Sequence, residues 1–263
     1  MNIINAIKDR RSVRSFDGAS LTESTKKILT DFAESLTSPF GGHFTIRLKK
    51  FDIKGEYRPS TYGTIKEASD FFLIGMGSDE ASALSVGFCF EQVVLKAWQL
   101  GLGTCWIAGT FKSTNFDKDE TWPDGEILKI ICPVGIPTQK RMFEKIARLA
   151  LGSSKRKPFD ELFFEGDFNH PLSADSSYHE ALEMLRLAPS STNSQPWRVL
   201  VKDDKVHFFY IPKNAISPVD LGIGISHFYE TERFNGREGE FYKENEAPAG
   251  NANWCYAVSY KRN

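Results

Sequence analysis

The sequence lacks the cysteine and charge patterns of several easily recognised protein classes. Among 263 residues there are four cysteines, which form neither a Cys-x-x-Cys pair nor a metal-ligand spacing: Cys89, Cys105, Cys132 and Cys255. We therefore expect reduced thiols in the core and no bound metal. The formal net charge is −1, and the absence of a basic excess argues against a nucleic-acid partner.

Long apolar runs are missing as well. No stretch approaches the roughly 18–20 apolar residues that cross a bilayer. The apolar stretch at the N-terminus is too short for a signal peptide, and charge follows it instead of preceding it. We expect a cytoplasmic protein without membrane contact. Hydrophobic residues (41%) and charged residues (25%) are present in the proportions of a globular protein with a sizeable core.

Helix and strand patterns both occur, without regular alternation. Ser20 and Glu23 form a capping-box pair before a helix that continues to Leu36, and a longer apolar-faced helix runs from Val86 to Trp98. Strands are predicted at residues 44–48, 70–75, 127–132, 197–201, 206–210 and 255–260. Residues 166–177 read as a linker. The pattern indicates an α+β fold with antiparallel or mixed sheets flanked by helices.

The two halves of the chain resemble each other. When Gly87 is aligned with Gly222, apolar positions match without gaps, and Gly101 falls on Gly236 at the end of each helix. A helix, a Pro/Gly turn and a strand around residues 32–48 parallel those around 182–201. Two amphipathic helices also share periodicity by construction, but the second matched unit in the same order favours duplication. We divide the chain into halves at 1–165 and 166–263.

Three segments have compositions suited to ligand binding. The first, residues 10–14, places Arg10, Arg11, Ser12 and Arg14 directly after a short helix. Guanidinium groups are planar, permanently charged donors suited to phosphate. A solvated basic turn, or cations favoured at a helix C-terminus, explains the same residues.

The second segment, residues 188–197, reads Ala-Pro-Ser-Ser-Thr-Asn-Ser-Gln-Pro-Trp. Two prolines fix the backbone on either side of hydroxyls and amides, so the turn is suited to holding a flat polar ligand. A turn that satisfies only its own backbone is the alternative.

The third segment, residues 101–109, contains Gly101-Leu102-Gly103 and ends at Ala108-Gly109. It follows a helix and lacks the Gly-x-Gly-x-x-Gly spacing, so it is not a dinucleotide fingerprint. Its small residues would let a planar ring approach the backbone, or they simply end the helix.

Together these segments resemble the FMN-dependent nitroreductase family. The similarity rests on Arg10-Arg11-Ser12-x-Arg14, on Pro189-Ser190-x-x-Asn193-x-Gln195-Pro196-Trp197, on Gly135-Ile136-Pro137 and on a basic run ending at Arg156-Lys157-Pro158. It covers nearly the whole chain. The resemblance implies a nitroreductase-like fold that binds FMN, with these cofactor-binding residues: Arg10, Arg11, Ser12, Arg14, Ala108, Gly109, Arg156, Pro189, Ser190, Ser191 and Asn193.

One departure from the family pattern is informative. The family's Pro-Ser-Asn turn follows the arginine motif closely, but here that place holds Ser38-Pro39-Phe40-Gly41-Gly42, without the expected donors. The good copy lies in the second half, which has no arginine motif of its own. Family members are typically homodimers with FMN at the interface. The resemblance is therefore to a subgroup in which two halves form a pseudo-dimer within one chain, with one FMN per chain and a monomeric or homodimeric assembly.

The resemblance also implies an activity. NAD(P)H would deliver hydride to the flavin, and a nitroaromatic, a quinone or a similar small acceptor would then take the electrons from the same face. The cofactor carries this chemistry, so no catalytic side chain is assigned. Two alternatives stay open: a non-catalytic FMN store or sensor, and a flavin-free pseudoenzyme.

Overall fold

The computed structural model describes residues 1–55, 58–138 and 155–263. Its described α-helices are α1 (Ile3–Asp9), α2 (Glu23–Ser35), α3 (Glu80–Gln99), α4 (His179–Arg186) and α5 (Ser217–Phe234). Among the described residues, none of these helices combines the length and apolarity that a membrane span requires.

The strands form two sheets. The first contains β1 (Phe44–Lys50), β2 (Asp70–Met76), β3 (Gly103–Thr104) and β4 (Ile127–Gly135), in the order β1-β2-β4-β3. The second contains β5 (Phe163–Glu165), β6 (Asp167–Pro171), β7 (Trp197–Lys202), β8 (Lys205–Tyr210), β9 (Gly239–Tyr242) and β10 (Cys255–Arg262), in the order β6-β5-β7-β8-β10-β9. The β5–β7 pair is parallel and the other described pairs are antiparallel. The predicted α+β class with mixed sheets is confirmed.

Corresponding elements occur in the same order in both halves. The first half runs α2-β1-β2-α3-β3-β4 and the second runs α4-β7-β8-α5-β9-β10. The strand order β1-β2-β4-β3 matches β7-β8-β10-β9. The second sheet differs by the additional pair β6-β5 at one edge.

Helices α3 and α5 cross in close backbone contact at the two glycines that the sequence alignment paired. A Cβ added to Gly87 would overlap the carbonyl oxygen of Val219 and lie 2.9 Å from Cα of Gly222. A Cβ on Gly222 would overlap the carbonyl oxygen of Leu84 and lie 3.0 Å from Cα of Gly87. Because each contact has its counterpart after the halves are exchanged, the crossing has the reciprocity of a twofold interface.

Two local predictions are wrong. The N-cap of α2 is Thr22, whose side chain accepts a hydrogen bond from the Thr25 N–H, and not Ser20. Ser20 instead donates to the buried carboxylate of Asp70 at 3.2 Å, a contact made by tertiary structure that the capping pattern cannot reveal. Residues 166–177 are not simply a linker, because they contain β6. Strand β5, which lies in the proposed first half, pairs with β7 of the second sheet.

Candidate functional site

Residues 10–16 leave helix α1 as an extended segment along the first sheet. Ser12 bridges to Thr104 of β3, and the Val13 N–H donates to the Thr104 carbonyl at 2.8 Å. In an extended chain alternate side chains share a face. Val13 is buried against Gly103, where a Cβ would lie 2.6 Å from the valine side chain. This close approach explains the glycine and fixes the segment that carries the arginines.

Arg10 is directed into the boundary between the two halves. Its side chain is 8% exposed, and its Nε lies 3.6 Å from Oε1 of Glu91, a fully buried residue of α3. The Arg10 Nη1 is buried and has no hydrogen-bond partner among the described residues. A buried guanidinium donor left without a partner is costly, so this atom is positioned to bind an anionic ligand.

Glu91 also joins two further elements. It accepts a hydrogen bond from the Trp106 indole N–H at 2.7 Å and shares another with Nε2 of His227, on α5, at 3.0 Å. The other ring nitrogen of His227 donates to the Met184 carbonyl at 3.1 Å. Arg10 is thus anchored on a buried network that spans both halves.

The turn at residues 188–196 has a strained backbone. Thr192, Asn193 and Gln195 have φ angles of 50°, 55° and 46°, in the left-handed region where non-glycine residues are uncommon. The Gln195 N–H donates to Oγ of Ser190 at 2.9 Å. The Ser191 N–H donates to Oδ1 of Asp220 at 2.9 Å. Side chains therefore hold the turn in a conformation that is costly for the backbone alone.

The turn binds the segment 155–157. Asn193 accepts from Nη1 of Arg156 at 3.2 Å and donates its amide N–H to the Lys155 carbonyl at 2.8 Å. The Lys157 N–H donates to Oε1 of Gln195 at 2.8 Å. Arg156 also donates to the Leu187 carbonyl at 2.9 Å. These contacts bring the predicted arginine 156 and the predicted turn together.

Positively charged arginine side chains lie close together around Arg156. Burial, followed by the positive charges of Arg10 and Arg186, lowers the pKa of Arg156 to about 10. Holding half-buried guanidinium groups near each other is unfavourable unless an anion joins them. A phosphate dianion would both pair with Arg10 and Arg156 and supply an acceptor for the Arg10 Nη1. The residues present therefore fit a phosphate-bearing cofactor.

Comparison with known proteins identifies the family. A family model described as "Putative TM nitroreductase" matches residues 2–231. The chain belongs to this nitroreductase family. No curated protein sequence matches the chain.

Several solved structures of nitroreductase family proteins are similar to this chain. A Thermotoga maritima MSB8 protein described as a "putative nitroreductase" is 22% identical with a TM-score of 0.61, over 99% of this chain and 92% of its own. A nitroreductase family protein of Clostridium difficile 630 is 15% identical, with a TM-score of 0.44. The match covers 55% of this chain and 92% of that protein. A Bacteroides fragilis nitroreductase with bound FMN is 14% identical, with a TM-score of 0.42. The match covers 53% of this chain and 90% of that protein.

The other predicted site residues of this nitroreductase occupy different environments. Arg11 is exposed, and its guanidinium carbon lies 5.1 Å from the centre of the Trp98 ring. No described contact joins Arg11 to Arg10 or Arg156. Ala108 and Gly109 are exposed after the Ile107–Ile131 bridge, and nothing lies within 4 Å of a Cβ added to Gly109. No described contact links them to the arginines. The part of the basic run that precedes Lys155, residues 140–154, lies outside the described residues.

Sequence reasoning missed Glu91, His227 and Asp220. Glu91 interrupts the apolar run of α3, and this interruption was the available signal for a buried charge. Asp220 is 2% exposed, in the first turn of α5. Burial raises its pKa to about 7, while its hydrogen bonds from Ser191 and Ser194 act in the opposite direction.

Proposed function

We propose that this nitroreductase binds one FMN per chain and is an NAD(P)H-dependent oxidoreductase acting on nitroaromatics, quinones or similar small acceptors. The observation that carries the proposal is the pair of largely buried arginines, Arg10 and Arg156, with a buried Arg10 Nη1 that has no described partner. Membership of the nitroreductase family supports FMN as the ligand of this anion site. Bound flavin would supply two-electron redox chemistry between NAD(P)H and the acceptor.

The phosphate of the cofactor would be held by two segments of the first half, residues 10–14 and Arg156. Arg10, Ser12 and Arg14 are alternate residues of one extended segment, an arrangement that favours a common side-chain face. Glu91 restrains the Arg10 guanidinium, and Asn193 restrains that of Arg156. Restrained cations bind an anion at a smaller entropic cost than mobile ones.

The second half would contribute the turn Pro189–Asn193. Its hydroxyl and amide groups sit on a backbone fixed by Asp220 and by the segment 155–157. The Ser190 hydroxyl, which accepts from Gln195, retains a proton to donate. The turn is therefore a rigid set of donors for a polar planar ring.

The symmetry-related position in the first half supports a single site. Aligning Gly87 with Gly222 places Ser85 at the position of Asp220. The Ser85 hydroxyl donates to the Gly41 carbonyl at 2.5 Å and lies 2.6 Å from Oγ of Ser38. Phe40 packs edge-on against Phe88 and Phe241, with 5.3 Å between ring centres in each pair. The turn at residues 38–42 thus packs its aromatic and hydroxyl groups against the protein itself. The second half has no arginine motif that could complete a site with this turn.

The test is a titration of the purified chain with FMN and with riboflavin, which lacks the phosphate. Arg10→Gln and Arg156→Gln should each weaken FMN binding about tenfold or more, because each removes a charge-assisted interaction. Riboflavin binding should change little. Arg47→Gln is the matched control, because Arg47 pairs with Glu120 at 2.6 Å outside the site.

Turnover separates the proposed enzyme from its alternatives. NAD(P)H oxidation that depends on a nitroaromatic or quinone, and that falls in both arginine variants, is the expected result. Flavin-bound protein without turnover would show a store or sensor. Protein whose melting temperature does not respond to FMN would overturn the proposal in favour of a pseudoenzyme.

A further inference from the structure

A second group of cations lies next to the end of the Pro-Ser turn. Lys213 donates from Nζ to the Ser194 carbonyl at 3.4 Å. Arg198 donates from Nη1 to the Trp197 carbonyl at 2.6 Å and to the Gln195 carbonyl at 3.5 Å. Lys157 is fixed next to them through its backbone N–H, which donates to the Gln195 side chain. Three separate segments therefore bring Lys157, Arg198 and Lys213 to residues 194–198, and we call these three residues the basic cluster.

The basic cluster forms no ion pair with a carboxylate in the described part of the chain. Among the residues that the structure describes, no carboxylate lies within the 4.0 Å of an ion pair with any of its three members. Burial, then the charges of Arg198 and Lys213, lower the pKa of Lys157, and Glu161 opposes this only weakly. Burial likewise lowers the pKa of Arg198, and the charge of Glu161 opposes this shift. In a chain of net charge −1, cations this close together and without a described ion pair are unfavourable in the absence of an anion.

The cluster is accessible and adjacent to the proposed flavin site. Lys213 is exposed, and Lys157 and Arg198 are half-buried. Lys157 directly follows Arg156, and Lys213 directly contacts the turn that would hold the flavin ring. The Arg198 guanidinium also lies 5.7 Å from the ring centre of half-buried Trp254, so an aromatic surface adjoins the charges.

We propose that Lys157, Arg198 and Lys213 bind the phosphate monoester of the electron donor, the 2′-phosphate of NADPH, and make the protein prefer NADPH to NADH. This inference rests on the proposed function for the choice of donor. Arg and Lys beside an accessible aromatic ring suit a phosphorylated nucleoside. NADH lacks the 2′-phosphate and would leave the same cations without an anion, which is the basis of discrimination.

The experiment compares NADPH and NADH oxidation by the wild type and by Lys157→Gln and Lys213→Gln. We expect the ratio of kcat/KM for NADPH to that for NADH to exceed ten in the wild type, and each substitution to lower it about tenfold. FMN affinity should stay within about twofold, because these residues do not belong to the flavin-phosphate set. Lys27→Gln is the control of equal charge change, since Lys27 is an exposed lysine paired with Asp31 on α2.

A direct binding measurement separates this inference from the proposed function. Adenosine 2′,5′-bisphosphate should bind by calorimetry more tightly than 5′-AMP, and inorganic phosphate should bind weakly. Lys157→Gln should remove the difference between the two nucleotides. This arm requires neither flavin nor turnover, so it decides the inference even if FMN fails to bind.

Any one of several results would overturn the inference. They are equal use of NADPH and NADH by the wild type, an unchanged ratio in both variants, equal binding of the two nucleotides, or a large loss of FMN affinity in Lys157→Gln. The last would assign the cluster to the flavin itself. Inorganic phosphate binding as tightly as the bisphosphate would show a general anion site and not a nucleotide site.

Discussion

Substituting Gly87 by alanine should separate the two central helices. The new Cβ would meet the backbone of α5 at the Val219 carbonyl and at Cα of Gly222, closer than the 3.0 Å that real Cβ atoms keep. No flexible side chain can yield there, so the helix axes must move apart. Overpacking costs about 1–3 kcal/mol, and we expect the upper end. Alanine recovers about 1 kcal/mol of helix propensity, which leaves a net loss of about 2 kcal/mol.

The assay is urea unfolding followed by circular dichroism, with the free energy of unfolding compared among variants. Gly224→Ala is the matched control on α5, because its nearest neighbour is Cγ of the movable Leu185 side chain at 3.2 Å. It should change stability by less than about 1 kcal/mol in either direction. Gly222→Ala should lower the free energy of unfolding about as much as Gly87→Ala does. The double variant should lose less stability than the sum of the two single losses. If Gly87→Ala is as stable as Gly224→Ala, the reasoning about the crossing is refuted.

Two further predictions concern buried ionisable groups. Burial raises the pKa of Asp220 to about 7, so its contribution to stability is full below pH 3.8 and is lost as pH rises to about 7. Between these pH values the free energy of unfolding should fall by up to about 4 kcal/mol in the wild type, and Asp220→Asn should abolish this fall. Parallel curves of stability against pH for the wild type and the variant would contradict the prediction. Burial raises the pKa of the Cys89 thiol to about 12, whereas Cys255 is half-buried. In the native protein, one thiol should therefore react rapidly with Ellman's reagent, and Cys255→Ser should abolish this reaction. Rapid reaction of several thiols would contradict the prediction.

Much of the fold was predictable because its main signals are local. The alternation from Phe44 and the apolar run at 70–75 identify β1 and β2, and the predicted strands at 197–201 and 206–210 correspond to β7 and β8. The glycine pair 87 and 222 was visible as an alignment, although its direct contact was not. The short strands β3, β5 and β9 escaped prediction because two to four residues carry too little periodicity for recognition.

The candidate site was predictable only where a motif carried it. The arginine segment and the Pro-Ser turn were recognised by composition, and Arg156 does meet Asn193. Glu91 and His227 are far apart in sequence and form a hydrogen bond only through the packing of α3 on α5. Arg11 was grouped with Arg10 by adjacency, yet the two side chains diverge, Arg11 to the exposed face of Trp98. Residue type gives candidate chemistry, whereas the direction of a side chain depends on the tertiary fold.

The central claim is a single FMN site shared between two related halves of one chain. Its most direct test is the flavin content per chain after reconstitution with FMN, measured by absorbance of the released cofactor against protein concentration. We predict a ratio near one, which falls in Arg156→Gln and stays near one in Arg47→Gln. A ratio near two would contradict the single site, and no uptake would contradict the assignment of FMN.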